Sequence, residues 1–424
     1  MACIVPIAGI RYSDLKVKNL AEVIAPPYDV ISAEEQHDLY RNNPYNIIRL
    51  EKPRDEGGEG DGPEKSNKYW RAAAQYQSWL EEGVLLREKE EAIYLYEQHF
   101  SYEGKTYIRE GFTCGVKAEP YSTGTVLPHE ETLQKPIEDR LKLMRSCKAN
   151  FSPIFGLYED SKNLAMQILR AAAGANPPVI SFTDKQGHIH KAWKITGRGA
   201  IEELAALFKA KKLFIADGHH RYETAVKYRE ENGPKPGKHD YVMMTLFNIY
   251  DPGLLVLPTH RLVINNCPET AATLLQKLRG TFAIETLSMD GRTICAKGLE
   301  MLGAAGKDRP ALGLYAGGEK YYLLKYRGDL EETLDTIILQ EEILAKYLGI
   351  DAEKCRQGDC LDYTRDCREA VTAVAAGRCK LAFLLNPPPA GSVIAVAEAG
   401  KKMPQKSTYF YPKLASGLII NPLD

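Results

Sequence analysis

The sequence predicts a mixed α/β fold, and three observations predict it. Apolar runs of strand length alternate with stretches of helical period along the whole chain. Several neighbouring runs are separated only by short glycine-bearing turns, which mark antiparallel hairpins within the alternation. The composition is that of an ordinary globular chain: 44% apolar residues, 26% charged residues and a net charge of −1. A balance of 55 basic against 56 acidic residues advertises no basic face, so nucleic acid is not an expected partner. No apolar stretch approaches the roughly 20 residues of a membrane span, and no leader segment is evident at the start.

At 424 residues the chain exceeds one ordinary core. Three regions are read from it. The first, residues 1–118, opens with Ala25-Pro26-Pro27-Tyr28-Asp29-Val30-Ile31-Ser32, whose tandem prolines fix an extended loop. Glu51 to Lys68 is rich in Gly, Asp, Glu and Lys and reads as a solvated, mobile loop. Tyr69 to Glu82 is helical, with Tyr69, Ala73, Tyr76 and Leu80 on one stripe. Ala92 to Ala118 forms a hairpin around Glu103-Gly104-Lys105.

The second region, 119–265, contains a basic helix from Ile137 to Cys147 and a strand from Phe151 to Tyr158. The helices Leu164 to Ala173 and Ala200 to Lys211 follow, then the strand Lys212 to Ala216 and a helix from Tyr222 that stops at Gly233. Two apolar runs, Tyr241 to Tyr250 and Leu254 to Val263, flank Asp251-Pro252-Gly253 and read as a hairpin beside that strand. The third region, 266–424, alternates helix and strand: Glu269 to Leu278, Thr293 to Leu302, a hairpin around Ala316-Gly317-Gly318, and Thr333 to Leu348. It ends with the strand Lys380 to Leu385, a helix near Val393 to Gly400, and Tyr409 to Pro422.

Nine scattered cysteines, with no C-x-x-C pair, fit a reducing, cytoplasmic setting. Cys355, Cys360 and Cys367 lie nearest to one another and read as free thiols rather than a zinc site.

The richest chemistry sits in Asp217-Gly218-His219-His220-Arg221, between a buried strand and a helix. There Gly218 permits a tight turn, and the first helical N–H groups form an anion site. Leu127-Pro128-His129-Glu130-Glu131 offers a general base or a metal ligand, or simply an acidic helix start. Position 133 is Leu, so this is not the zinc-protease pattern. Arg140 lies in the basic helix that follows. His260-Arg261 ends the run expected beside the Asp217 strand, and its side chains read either as facing the same cleft or as a hydrogen-bonded surface pair. Lys406-Ser407-Thr408 lacks the glycines of a phosphate loop, so Lys406 reads as an exposed side chain on a plain strand, with a point charge for phosphate as the other reading.

Pro26 to Ile31, Leu127 to Glu130, Ala149 to Tyr158, Asp217 to Ala225 and Met403 to Asp424 together resemble, nearly end to end, the family known as domain of unknown function 1015. The Asp-Gly-His-His-Arg turn with a His-Glu segment upstream is also similar to two boxes of the ParB and sulfiredoxin superfamily, which includes partition CTPases, sulfiredoxin and free-serine kinases. That resemblance implies a ParB/sulfiredoxin-like core with large insertions and additional hairpins. Carried over from the kinases, Glu130 (or Glu131) is the base, Asp217 faces Mg2+, and His219, His220 and Arg221 donate to phosphate. Gly218, His129, Glu131, Arg140, His260, Arg261 and Lys406 complete the expected substrate or phosphate site. The partition box differs here, having His-His where Glu-Arg is found. Sulfiredoxin's catalytic Cys is replaced by Gly218. The expected function is Mg2+-dependent phosphoryl transfer, as kinase or phosphatase, on a small hydroxylated metabolite. Serine or phosphoserine is favoured by the resemblance, with ADP or ATP as nucleotide. The alternative is a CTP- or ATP-binding regulatory module without turnover, and a third is a hydrolase with histidine metal ligands.

Overall fold

A computed structural model describes residues 1–55, 67–264, 270–328, 334–357, 360–404 and 406–424. Most of the polar 51–68 stretch read as mobile, together with Cys267, lies outside the described residues. The class is mixed α/β, as the alternating pattern predicts. Two compact units form. One comprises residues 1–128, 132–255 and 412–424, and the other residues 129–131 and 256–411. The boundary read at 118/119 therefore falls inside a unit. The physical reason is that the 93–117 hairpin supplies central strands of the sheet that carries the Asp217 turn.

The first unit is built on a nine-stranded sheet. Its strands are β1 (Ile4–Val5), β2 (Ile93–Tyr102), β3 (Lys105–Lys117), β4 (Val126–Leu127) and β5 (Ile154–Tyr158). They continue with β6 (Ile180–Thr183), β7 (Ile189–Ile195), β8 (Leu213–Asp217) and β9 (Tyr241–Asn248). The order is β4-β8-β5-β9-β3-β2-β7-β6, with β1 paired to β3. The β4–β8 and β5–β9 pairs are parallel and β8–β5 is antiparallel. Helices α1 (Lys68–Glu81), α2 (Gln134–Cys147), α3 (Leu164–Ala173), α4 (Arg198–Phe208) and α5 (His219–Asn232) belong to the same unit. Leu169, Leu204 and Phe208 join Leu213, Ile215, Tyr222 and Ala225 in one apolar cluster. A second cluster gathers around Ile10, Tyr76, Trp79 and Leu85. In α1 the buried stripe is Ala72, Tyr76 and Trp79, one position off the sequence reading, because the large indole takes the inward position.

The expected hairpin of Tyr241–Tyr250 with Leu254–Val263 does not form. Both edges of β9 are already taken, by β3 and β5. At the supposed turn the Asp251 carboxylate accepts the amides of Gly253 at 2.7 Å and Glu110 at 3.2 Å. Gly253 presses so close to the Ile108 carbonyl that no Cβ fits between them. This side-chain capping turns the chain out of the sheet rather than back along it.

The second unit has a six-stranded antiparallel sheet of its own, so the last third does not complete the first sheet. Its strands are β10 (His260–Ile264), β11 (Phe282–Ser288), β12 (Ala311–Tyr315), β13 (Lys320–Tyr326), β14 (Leu361–Thr364) and β15 (Cys379–Leu385). They run in the order β11-β13-β12-β15-β10-β14. Alternate residues feed opposite cores. Val263, Phe383 and Leu385 join one cluster, while Leu262, Ala382 and Leu384 join the other. With both faces covered, β15 reads as a continuous apolar run instead of an alternating one.

Candidate functional site

The β8–α5 junction is built by three local devices. The register against β5 shifts between Ile215 and Asp217, a bulge that re-aims the end of the strand. Gly218 then takes φ +95°, a left-handed conformation that side chains disfavour. Helix α5 begins at His219, three residues earlier than the apolar pattern suggests, with no side-chain cap from Gly218. His219 and Arg221 are therefore in the first helical turn and buried, while Tyr222 and Ala225 anchor the helix in the core.

Arg221 folds back over the turn. Its Nη2 donates to Asp217 Oδ2 at 2.8 Å and its Nη1 to the Pro153 carbonyl at 2.5 Å. A Cβ on Gly218 would meet this guanidinium at 2.9–3.0 Å, so the glycine is required by packing as well as by φ. Lys413 Nζ donates to the other oxygen, Asp217 Oδ1. One carboxylate thus holds two cations in register. His220 Nε2 accepts the Leu133 amide at 2.9 Å, so that nitrogen presents a lone pair rather than a proton.

A second basic centre lies in the same unit. Arg140 of α2 is buried and donates to Asp139 Oδ2 at 2.9 and 2.5 Å and to the Glu51 carbonyl at 2.5 Å. Its guanidinium stacks 4.1 Å from the Tyr28 ring centre. Lys52 Nζ fastens the carbonyls of Tyr28 and Ile31 at 3.0 and 2.6 Å. Burial pushes the Tyr28 hydroxyl up to about 12, with the charges of Arg140 and Arg221 pulling the other way. The Pro-Pro-Tyr-Asp loop, the 149–153 segment, α2 and the Asp217 turn therefore converge. Arg140 is engaged by protein groups there and ties α2 to the end of the preceding loop.

The remaining expected residues fall in the second unit. His129 is buried, its Nε2 3.0 Å from Thr408 Oγ1 and its carbonyl accepting the Met403 amide at 2.8 Å. Glu130 is half-buried and bridges to Met403, with Lys406 N 3.5 Å from its Oε1. The 129–131 triplet is thus held by the 403–408 segment and is not the first turn of α2. Lys406 is exposed at φ +57°, not on a strand. Glu131 and Arg261 line one cavity of about 940 Å³. His260 and Arg261 do not lie beside β8, because β10 pairs with β14 and β15. His260 Nδ1 accepts the Leu385 amide at 3.2 Å, and burial pushes the imidazole down to about 4. Burial lowers Arg261 to about 10, and its guanidinium lies 5.1 Å from the Tyr363 ring centre.

Two residues of the turn region escape sequence reasoning. Lys413 stands at the end of Tyr411-Pro412-Lys413, which has no phosphate-loop pattern, whereas Lys406 has a Lys-Ser-Thr context. Lys413 is placed by Arg109, fully buried among Phe155, Phe247 and Phe100, whose Nη2 donates to the Pro412 carbonyl at 2.8 Å. Tyr28 carries a signal in its tandem prolines but none in residue type. At Asp217, the carboxylate expected to face magnesium, both oxygens pair with cations of the protein. The arrangement as built presents two cations that an anion could meet.

No helix among the described residues is long and apolar enough to cross a membrane. No curated protein matches the chain. Similar solved structures include a free serine kinase in complex with AMP, at 16% identity and a TM-score of 0.37, covering 70% of this chain and 89% of that one. A variant of a free serine kinase in complex with ADP gives 15% identity and a TM-score of 0.36, covering 70% and 90%. SbnI from Staphylococcus aureus, with a C-terminal truncation, gives 14% and 0.38, covering 73% and 87%. The sequence model of the family described as "Protein of unknown function (DUF1015)" matches residues 4–343, and the chain belongs to that family.

Proposed function

We propose that the chain is a phosphoryl-transfer enzyme, kinase or phosphatase, acting on a small hydroxylated metabolite. The observation that carries this reading is the Asp217–Arg221 turn. Phosphoryl transfer asks little covalent chemistry of a protein and much positioning of positive charge. Arg221 offers a planar fork matched to two phosphate oxygens, and Lys413 a point charge. Asp217 holds both in place before substrate arrives, which is the preorganisation that makes such charges effective. The amide groups opening α5 add their dipole at the same end. Magnesium belongs to this reading through the phosphates of ADP or ATP, not through a protein cage. Serine and phosphoserine are the first substrate pair to test, on resemblance alone. Glu130 is the implied base and Glu131 its substitute.

The experiment is a screen of phosphorylated and hydroxylated metabolites with ADP and ATP, using the purified chain. Asp217→Asn is expected to lower turnover by about 100-fold or more with an unchanged circular dichroism spectrum. Full turnover in that folded variant would defeat the assignment. Glu130→Gln and Glu131→Gln identify the base as the residue whose loss lowers kcat with KM retained.

The cavity of the second unit supports a second reading, nucleotide binding without turnover. Arg261, Lys307, Arg309, Lys401 and Lys402 line its volume of about 940 Å³, a size typical of ligand pockets. Calorimetry showing CTP or ATP binding that ignores serine and phosphoserine, in a chain without turnover, selects this reading.

A further inference from the structure

We propose that Asp184, His188 and His190 form a binding site for one zinc-class divalent ion, independent of the Asp217 turn. The three residues sit on the β6–β7 hairpin of the first unit, with spacing Asp-x-x-x-His-x-His. Four strands of the sheet separate this hairpin from β8. One ligand atom from each residue lies within 4.8 Å of the other two. Asp184 Oδ2 is 3.2 Å from His188 Nδ1 and 3.0 Å from His190 Nε2. Tetrahedral zinc with bonds of about 2.0–2.1 Å separates its ligand atoms by about 3.3 Å. These two pairs, hydrogen-bonded as they stand, are therefore already close to coordination spacing.

The surroundings are those of a ligand set rather than of a chance cluster. Asp184 Oδ1 accepts the amides of Gln186 at 2.9 Å and His188 at 2.8 Å, which aims Oδ2 at the imidazoles. The outer nitrogen of His190, Nδ1, lies 2.8 Å from the Tyr96 hydroxyl. That contact fixes the ring and leaves Nε2 for the metal, as outer-shell partners of metal-binding histidines do. Phe182 stacks on His190 at 4.8 Å and 7°, and Phe100 stands edge-on to His188 at 6.2 Å and 80°. These apolar walls lower the local dielectric and make a buried carboxylate with two imidazoles a strong trap for a cation. His188 and His190 are 4% and 1% exposed, whereas the Asp184 side chain is 14% exposed, so the cluster is open to solvent on the side of the turn. Two nitrogens and one oxygen suit zinc better than magnesium or calcium.

Titration of the purified full-length chain with Co2+ tests the site without knowledge of the native ion. Visible tetrahedral d–d bands that saturate at one equivalent and are bleached by Zn2+ are the expected result. His188→Gln and His190→Gln should each weaken Co2+ and Zn2+ binding by about 100-fold or more, since even outer-shell losses cost 10- to 100-fold. Asp217→Asn should leave both titrations unchanged. Absence of visible bands in the wild-type chain overturns the proposal, whether or not a variant folds. Unchanged affinity in both histidine variants, or loss of binding in Asp217→Asn, also overturns it.

Discussion

Gly218 is where the chain commits both a conformation and a close approach. With φ +95° and the Arg221 guanidinium 2.9–3.0 Å from where a Cβ would be, an alanine here is penalised twice. The left-handed backbone alone costs about 1–2 kcal/mol. The clash falls on the flexible end of Arg221, which would move off Asp217 rather than unfold the helix. Gly218→Ala is therefore expected to lower thermal stability by about 1–2 kcal/mol and to weaken phosphate-ligand binding by more than that loss explains. Thermal melts beside calorimetry with ADP would show whether the two effects separate. A variant that binds with wild-type affinity would mean the guanidinium is not part of the anion site.

At the scale of elements, β10 shows how a sheet disciplines an ionisable side chain. His260 Nδ1 accepts the Leu385 amide within the sheet, and burial holds its pKa near 4, below the ordinary 6.5. The unfolded chain thus takes up a proton first as pH falls. The stability this residue contributes is complete above about pH 6.5 and is lost as pH drops toward 4. Asp335 in the same unit works in the opposite sense. Burial raises it to about 6, so its contribution is present below the unfolded value of 3.8 and is lost as pH rises through 6. A difference measurement isolates the histidine. Between pH 7 and 4.5, wild-type protein should lose about 2–3 kcal/mol more than His260→Gln, whose amide oxygen can still accept the Leu385 N–H. Parallel denaturant titrations at the two pH values check this, and equal losses would show that His260 is not held neutral.

For the molecule as a whole, the last residues of the chain belong to the first unit, not to the one that immediately precedes them. Asn421–Pro422 pairs with Ala149–Asn150, Ile420 exchanges backbone bonds with Ile10, and Arg109 holds the Pro412 carbonyl. Leu414, Ile419, Ile420 and Leu423 are all buried. At about 1.5–3 kcal/mol each, their loss approaches the entire 5–15 kcal/mol margin of a typical domain. A chain ending before Pro412 should therefore lose the near-UV circular dichroism of the first unit and become prone to aggregation. A truncated chain with native near-UV signal would show that this segment is an accessory rather than part of the core.

The sequence by itself determined the mixed class, most elements to within a few residues, and the Asp217–Arg221 turn. These are local properties: residue period, glycine at a strand–helix junction, and an apolar run wide enough to be a strand. The β8–α5 turn was legible because its chemistry and its geometry lie within five consecutive residues. Only tertiary structure decided that Lys413 reaches Asp217, and that His260 and Arg261 belong to a different sheet. It also decided that the Asp251-Pro252-Gly253 turn leaves the sheet instead of closing a hairpin. Those outcomes depend on which strand edges were already occupied and on which distant backbone a buried cation such as Arg109 could hold. Such pairings form between residues far apart in the chain, and the local pattern carries no record of them.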